Sequence, residues 1–393
     1  MAGTPCYLVA EQAIEASIEE LGVIRTGLPH RHWLSVKTQP VQPLLEAWRR
    51  RGFGVEVVSE YELAAALRLG FTGEAILVNG VAKHAWLSRH QIPNLNVHFD
   101  SLAEIDALKD QARALNWSLG LRCQVPNQRD LDEPEFQDQF GLTSTEAVRA
   151  LMTLGDAGLK LRGLHFHIGT NVQTADQFQI ALNHLHAVCQ DAEFTPEYVD
   201  IGGGLPVTGE KPVGADRATP PIDLEQLGEV LATVPRLFPT VRELWLENGR
   251  FVSARAGVLV VKVVDRKERP ECSYLICDGG RTNHALVSGW EVHDILLEPE
   301  HDGPTRLTTV CGPTCMASDR LGRWQLPTTV APGDLIIWMN AGAYHIPWET
   351  RFSVGLAPVV WCDLTRRLVL ARKRESPEEW SASWTNSKPL GSP

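Results

Sequence analysis

Between residues 34 and 247, short apolar runs alternate with helical patterns, and this alternation constrains the fold more than any other feature of the chain. Strands are expected at 34–37, 55–59, 75–79, 95–100, 119–125, 163–169, 198–202 and 244–247. Helices are expected at 41–51, 60–69, 83–90, 102–115, 144–154, 174–190 and 223–236. Thr143 followed by Glu146 reads as a capping box, and Asp223 opens a helix with acids in its first turn. Eight strands alternating with helices over little more than two hundred residues is the count of an α/β (β/α)8 TIM barrel. A doubly wound sheet gives similar alternation, so periodicity alone leaves both open.

In a barrel, chemistry gathers at the C-terminal strand ends. Those ends carry Lys37, Ser59, Asn79, Arg122, His167, the glycines 202–204 and Glu247. Two stretches stand out, His165-Phe-His-Ile-Gly-Thr170 and Asp200-Ile-Gly-Gly-Gly-Leu205, which put rings and bare backbone amides at neighbouring strand ends. A glycine run is ordinarily a turn. Here the next strand closes with Glu247-Asn-Gly-Arg250, placing a carboxylate and a guanidinium three residues apart. Backbone amides with an arginine can share a phosphate, and the glutamate can answer a ring nitrogen. Pyridoxal 5'-phosphate meets all three requirements.

After Phe251 the texture becomes β-rich, with apolar runs at 258–264, 273–277, 308–311, 334–339 and 359–370 separated by Gly/Pro turns. The expected organisation is therefore a strand and helix over 1–30, with the strand joining the β-domain, and a cofactor-binding barrel over 31–250. A C-terminal, mostly antiparallel β-domain follows over 251–372, then a polar, frayed tail over 373–393.

With 37 Lys+Arg against 48 Asp+Glu, the chain lacks the basic excess of a nucleic-acid binder. No apolar run approaches a membrane span, and no signal core opens the sequence, which points to the cytoplasm. The eight cysteines form no C-x-x-C pair, so neither a metal site nor a disulfide framework is expected.

Over nearly its full length the chain resembles the fold-type III pyridoxal-phosphate decarboxylases, the alanine-racemase-like barrel enzymes that include diaminopimelate and ornithine decarboxylases. The resemblance rests on Thr4-Pro-x-Tyr7, Ser35-Val-Lys-Thr38, Glu56-Val-Val-Ser-Glu60, Leu121-Arg122, Phe140-Gly-Leu142 and His165 to Thr170. It continues through Asp200 to Gly204, Glu247-x-Gly-Arg250, Cys311-Gly-Pro-Thr-Cys315, Asp334 and Ala341-Gly-Ala-Tyr344. It implies that Lys37, in an apolar pocket that disfavours its charged form, carries the cofactor as an internal aldimine. His167 would stack on the cofactor ring, with His165 a structural histidine. Thr170, Gly202, Gly203, Gly204, Gly249, Arg250 and Tyr344 would hold the phosphate, and Arg122 is a further cofactor contact. Glu247 would keep the pyridine nitrogen protonated. Cys315 would reach from the partner subunit of a homodimer and protonate Cα after decarboxylation, because a thiol exchanges protons near neutrality. Cys311 reads as packed.

The sequence departs from relatives acting on basic amino acids. Where they carry an acid after the catalytic cysteine, this chain has Met316, which cannot pair with a distal ammonium group. Asp319 is retained, but Gln139 replaces the lysine that precedes Phe-Gly in many relatives, so a cross-dimer ion pair is lost. The segment from Asp278 to His284 resembles a biosynthetic-cluster branch acting on conjugated or carrier-linked amino acids. Arg281 and His284 would answer an anionic distal group. The expected activity is decarboxylation of the α-carboxylate of an amino acid or its conjugate. An amino-acid racemase on the same scaffold and a non-catalytic pyridoxal-phosphate-binding protein are the alternatives.

Overall fold

A computed structural model describes residues 2–126, 139–207, 211–213, 218, 220–285 and 287–385. The chain divides into two compact units, one formed by 15–207 with 220–252, the other by 1–14, 208–219 and 253–393.

The first unit is a closed barrel of eight parallel strands: His30–Ser35, Gly54–Val57, Ile76–Val78, Asn96–Phe99, Ser118–Arg122, Leu161–His165, Tyr198–Asp200 and Glu243–Asn248. The eighth pairs with the first, Leu244 opposite His30 and Asn248 opposite Leu34, and this closure excludes the doubly wound sheet. The first strand begins four residues earlier than expected. His30, Arg31 and His32 are polar, yet they lie opposite the apolar Leu244, Trp245 and Leu246. Thr143 and Glu146 make the reciprocal bonds of a capping box on helix Ser144–Asp156, worth about 1 kcal/mol.

Large rings fill the barrel where facing strands carry glycine. Trp33, Leu77, Tyr198 and Trp245 form one buried cluster, and Tyr198 stacks on Trp245 at 3.6 Å. A Cβ on Gly54 would sit 2.3 Å from the Trp33 ring, and one on Gly163 would sit 2.2 Å from the Tyr198 ring. Nearer the C-terminal strand ends the interior turns polar, with His98, His165, Asp200 and Glu247 all buried.

The second unit is a nine-stranded, mostly antiparallel sheet. Strand Gly257–Glu268 is its longest, pairing antiparallel with Cys6–Ala10, Ser273–Cys277 and Leu335–Trp338. Cys6–Ala10 also pairs parallel with Val359–Cys362, and Ser273–Cys277 with Thr305–Cys311. Strands Ile295–Glu298 and Arg320–Pro327 were not expected. The second carries three charged or amide side chains, a glycine and a final proline, so its pairing with Thr305–Cys311 fixes it more than its own pattern does.

The tail expectation is partly overturned. Pro377–Thr385 is helical, because Ser376 and Glu379 bond each other's backbone N–H at 3.2 and 3.0 Å in a capping box ahead of it. The remainder of the expected tail, 386–393, lies outside the described residues. Among the described residues no helix is long and apolar enough to cross a membrane.

Candidate active site

The first strand ends at Ser35, and Lys37 follows in a single 3-10 turn, Val36–Thr38, closed by the Thr38 hydroxyl donating to the Ser35 carbonyl at 2.8 Å. This turn aims Lys37 at the neighbouring strand. Its Nζ donates to both carboxylate oxygens of Glu56, at 2.9 and 2.8 Å. Glu56 is buried, whereas the lysine side chain is 40% exposed. The expected apolar pocket is therefore corrected: the amine is held by a carboxylate and open on one side. Glu62 lies close by, accepting from the Val58 N–H at 2.8 Å, and burial pushes its carboxyl up to about 7.

Glu247 stands on the eighth strand, which pairs directly with the first, with Glu247 opposite Trp33. Its Oε1 accepts from Asn79 Nδ2 and lies 3.2 Å from His165 Nε2. Burial, then the charges of Asp200 and Glu56, hold the Glu247 carboxyl well above the usual range. A buried carboxylate short of positive partners suits a protonated ring nitrogen. Burial likewise pushes Asp200 up to about 8, although its Oδ1 accepts from the Gly202 N–H at 2.9 Å.

The sixth strand ends at His165, earlier than expected, so His167 and Thr170 stand in the following loop. His167 Nδ1 accepts from the Gly203 N–H at 3.2 Å, which puts its proton on Nε2. Burial, with Arg122 and Lys37 adding to it, pushes this ring down to about 3, so it stays neutral and offers a flat face. Two of the three glycine amides are thus engaged within the chain, one by Asp200 and one by His167. Among the described residues the Gly204 amide has no such partner. Gly202 and Gly204 have φ of +67° and +97°, and Cβ atoms there would lie 2.5 Å from the Phe166 carbonyl and 2.4 Å from that of Gly169. Only glycine fits this corner. It forms one pocket with Asn248, Gly249 and the buried Arg250, after the seventh and eighth strands, where such barrels bind phosphate. Arg122 lies over the Phe140 ring at 4.6 Å and 3.7 Å from Asp100. These groups fit pyridoxal phosphate: a neutral ring platform, a glycine and arginine corner, and a carboxylate for the pyridine nitrogen.

Residues 16–254 match the family described as pyridoxal-dependent decarboxylase, pyridoxal binding domain. The chain belongs to the pyridoxal-dependent decarboxylases. It is 29% identical to the diaminopimelate decarboxylase of Deinococcus radiodurans, over 97% of this chain and 96% of that one. It is 26% identical to the L-glutamyl-[BtrI acyl-carrier protein] decarboxylase of Niallia circulans, over 90% and 86% of the two chains. The structure of diaminopimelate decarboxylase from M. jannaschii shares the fold, with a TM-score of 0.85, 21% identity and coverage of 98% and 93%. The cofactor of this decarboxylase is pyridoxal phosphate, and its reaction is amino-acid decarboxylation.

The remaining expected residues belong to the decarboxylase's β-domain. Cys315 and Met316 are exposed on the turn between strands Thr305–Cys311 and Arg320–Pro327. Asp319 is buried beneath them: Oδ2 accepts from the Thr314 N–H and hydroxyl at 3.0 and 2.6 Å, and Oδ1 from the Arg281 N–H at 2.7 Å. Arg281 also reaches the Ser288 hydroxyl and the Ser318 carbonyl. Asp278 accepts from the Lys262 N–H and the Thr4 hydroxyl. His284 is fully buried, with Nδ1 3.1 Å from His345 Nε2. Asp278, Asp319 and His284 thus serve the domain's framework in this chain. Tyr344 has φ +67° and stacks on Trp348 at 5.1 Å.

Sequence reasoning passed over several groups. Glu56 lay inside a quoted motif at a strand end, which was signal enough to name it. Lys83 gave none: it is fully buried, bonded to Glu104, whose Oε2 also accepts from the Asp100 N–H at 2.8 Å.

Proposed function

We propose that this decarboxylase removes the α-carboxylate of an amino acid whose distal end is conjugated or carrier-linked instead of a free ammonium group. The observation that carries the substrate reading is Met316. It is an exposed thioether beside Cys315, at the position where relatives acting on basic amino acids carry an acid. A methionine offers an ammonium group neither charge nor a strong acceptor. The Niallia circulans relative, named for a carrier-linked substrate, supports the same class.

Bound pyridoxal phosphate supplies the electron sink for the pair released as carbon dioxide leaves. Lys37 would hold the cofactor through its amine. Glu56, bonded to that amine, keeps it at the rim while it is free. His167 would support the ring, with Thr170, Gly202, Gly203, Gly204, Gly249 and Arg250 around the phosphate and Arg122 a further cofactor contact. Glu247 keeps the pyridine nitrogen protonated. Cys315 from a second copy of this chain donates the proton that Cα takes up, which makes the working unit a homodimer. A reducing, cytoplasmic setting suits its eight unpaired thiols.

Mass spectrometry on a panel of free, conjugated and carrier-linked amino acids, incubated with loaded enzyme in deuterium oxide, tests this reading. Loss of carbon dioxide with one deuteron gained at Cα, in conjugated members above free lysine or diaminopimelate, is expected. Preference for the free diamino acids would sink the substrate class, and deuteration with the carboxylate kept would indicate a racemase.

A further inference from the structure

Glu247 is the end of a hydrogen-bonded and stacked column inside the barrel. The Tyr198 hydroxyl lies 3.0 Å from His98 Nε2. The His98 ring stacks on His165 at 4.9 Å, with 20° between the planes, and His165 Nε2 lies 3.2 Å from Glu247 Oε1. Tyr198, His98 and His165 come from the seventh, fourth and sixth strands, and all three are buried. Asn79, from the loop after the third strand, donates to the same Oε1. Among the described residues no donor reaches Glu247 Oε2.

We propose that His165 is a positioning residue: together with Asn79 it pins Oε1 of Glu247, so that Oε2 is the oxygen presented to the cofactor's pyridine nitrogen. A neutral imidazole has one N–H, and no described residue bonds either ring nitrogen of His165. Glu247 is therefore the acceptor that decides the tautomer, placing the proton on Nε2. At 3.2 Å the two atoms are within reach of one another, although off hydrogen-bond alignment. Burial, with His98 and Arg122 adding to it, keeps this ring uncharged, so it donates to the carboxylate without neutralising it. The stacked His98 fixes the plane of the His165 ring, and Tyr198 fixes His98. His98, His165 and Glu247 also bring potential metal-binding atoms within 4.8 Å of one another. The bonds to Tyr198 and Asn79 give His98 and Glu247 their partners within the barrel.

The inference rests on the reading that Glu247 faces the pyridine nitrogen, and its test separates the two. Holoenzyme is loaded with pyridoxal phosphate carrying 15N in its ring, and the nitrogen shift reports protonation. Three variants are compared with wild type. His165→Phe keeps the stack on His98 but has no N–H, His165→Gln restores an N–H donor, and Glu247→Gln removes the carboxylate.

The expected result is a protonated ring nitrogen in wild type that is lost in Glu247→Gln. It is largely lost in His165→Phe and regained in His165→Gln. In His165→Phe, kcat should fall about 10-fold or more, as when an outer partner of a functional group is removed, with KM within about twofold. If His165→Phe does not fold, His165→Met fills the space without a donor and takes its place. A wild-type nitrogen signal in the donorless variant, with the signal lost in Glu247→Gln, overturns the role of His165 alone. An unchanged signal in Glu247→Gln overturns the reading of Glu247 and the inference with it.

Discussion

The cofactor rim of the barrel and the Cys315 turn of the β-domain solve opposite problems. Around Glu247 the partners are internal: Lys37 meets Glu56, Glu247 meets Asn79, and His167 meets Gly203. In the turn, only the framework is answered. Asp319 takes up Thr314 and Arg281, while Cys315 and Met316 are left on the surface. A buried polar group must find its partner within its own fold, whereas an exposed one is free to serve a neighbour. Cofactor retention and proton delivery should therefore be separable.

The sharpest break between the two regions is expected from Lys37→Ala. It should abolish turnover and strip the visible absorbance of the bound cofactor, read by spectrophotometry after gel filtration. Cys315→Ala should retain that absorbance while losing about 100-fold in kcat, in the range of a positioned proton donor. If the active site is shared between copies, mixing the two inactive variants should recover roughly one quarter of wild-type activity, from randomly paired dimers with one intact site. No recovery, with exchange of subunits verified, would place lysine and cysteine in the same chain's site.

A smaller effect is expected at the glycine corner. Gly204→Ala forces a Cβ onto the Gly169 carbonyl at a left-handed φ, so cofactor affinity should fall about 10-fold, for strain of about 1 to 3 kcal/mol. The Cys315 turn should not respond, and dimer affinity measured by ultracentrifugation should be unchanged. The mildest effect concerns pH. Burial pushes His98 from 6.5 down to about 3, so between those values the unfolded chain binds a proton that the folded chain refuses. Stability from this site is present above pH 6.5 and is lost as pH falls toward 3. Melting curves of His98→Gln should fall less steeply than wild type across that window and run parallel to it above.

What the sequence made legible follows the same division. The barrel strands were visible as apolar runs between turn signals, except the polar opening of the first at His30 to His32, and the rim was visible because glycine runs and an isolated Glu-x-Gly-Arg seldom serve packing alone. Lys37 was placed by ending such a strand, but its bond to Glu56, nineteen residues away, depends on the register of neighbouring strands, which no local pattern carries. His165 looked structural for the same reason, since its approach to Glu247 spans two strands and 82 residues. In the second unit, Arg320–Pro327 was missed because its charged residues face outward from a sheet whose order the sequence does not announce. The tail helix was missed although Ser376-Pro-Glu-Glu379 is a readable cap, hidden by a polar composition that also fits a frayed end.

The Gly203 to His167 bond ties two tasks to one piece of backbone. The imidazole takes its orientation from the loop that borders the phosphate corner, not from the phosphate itself. If His167 carries the cofactor ring as proposed, dephosphorylated pyridoxal should meet a platform already turned to receive it and lose chiefly its anchorage.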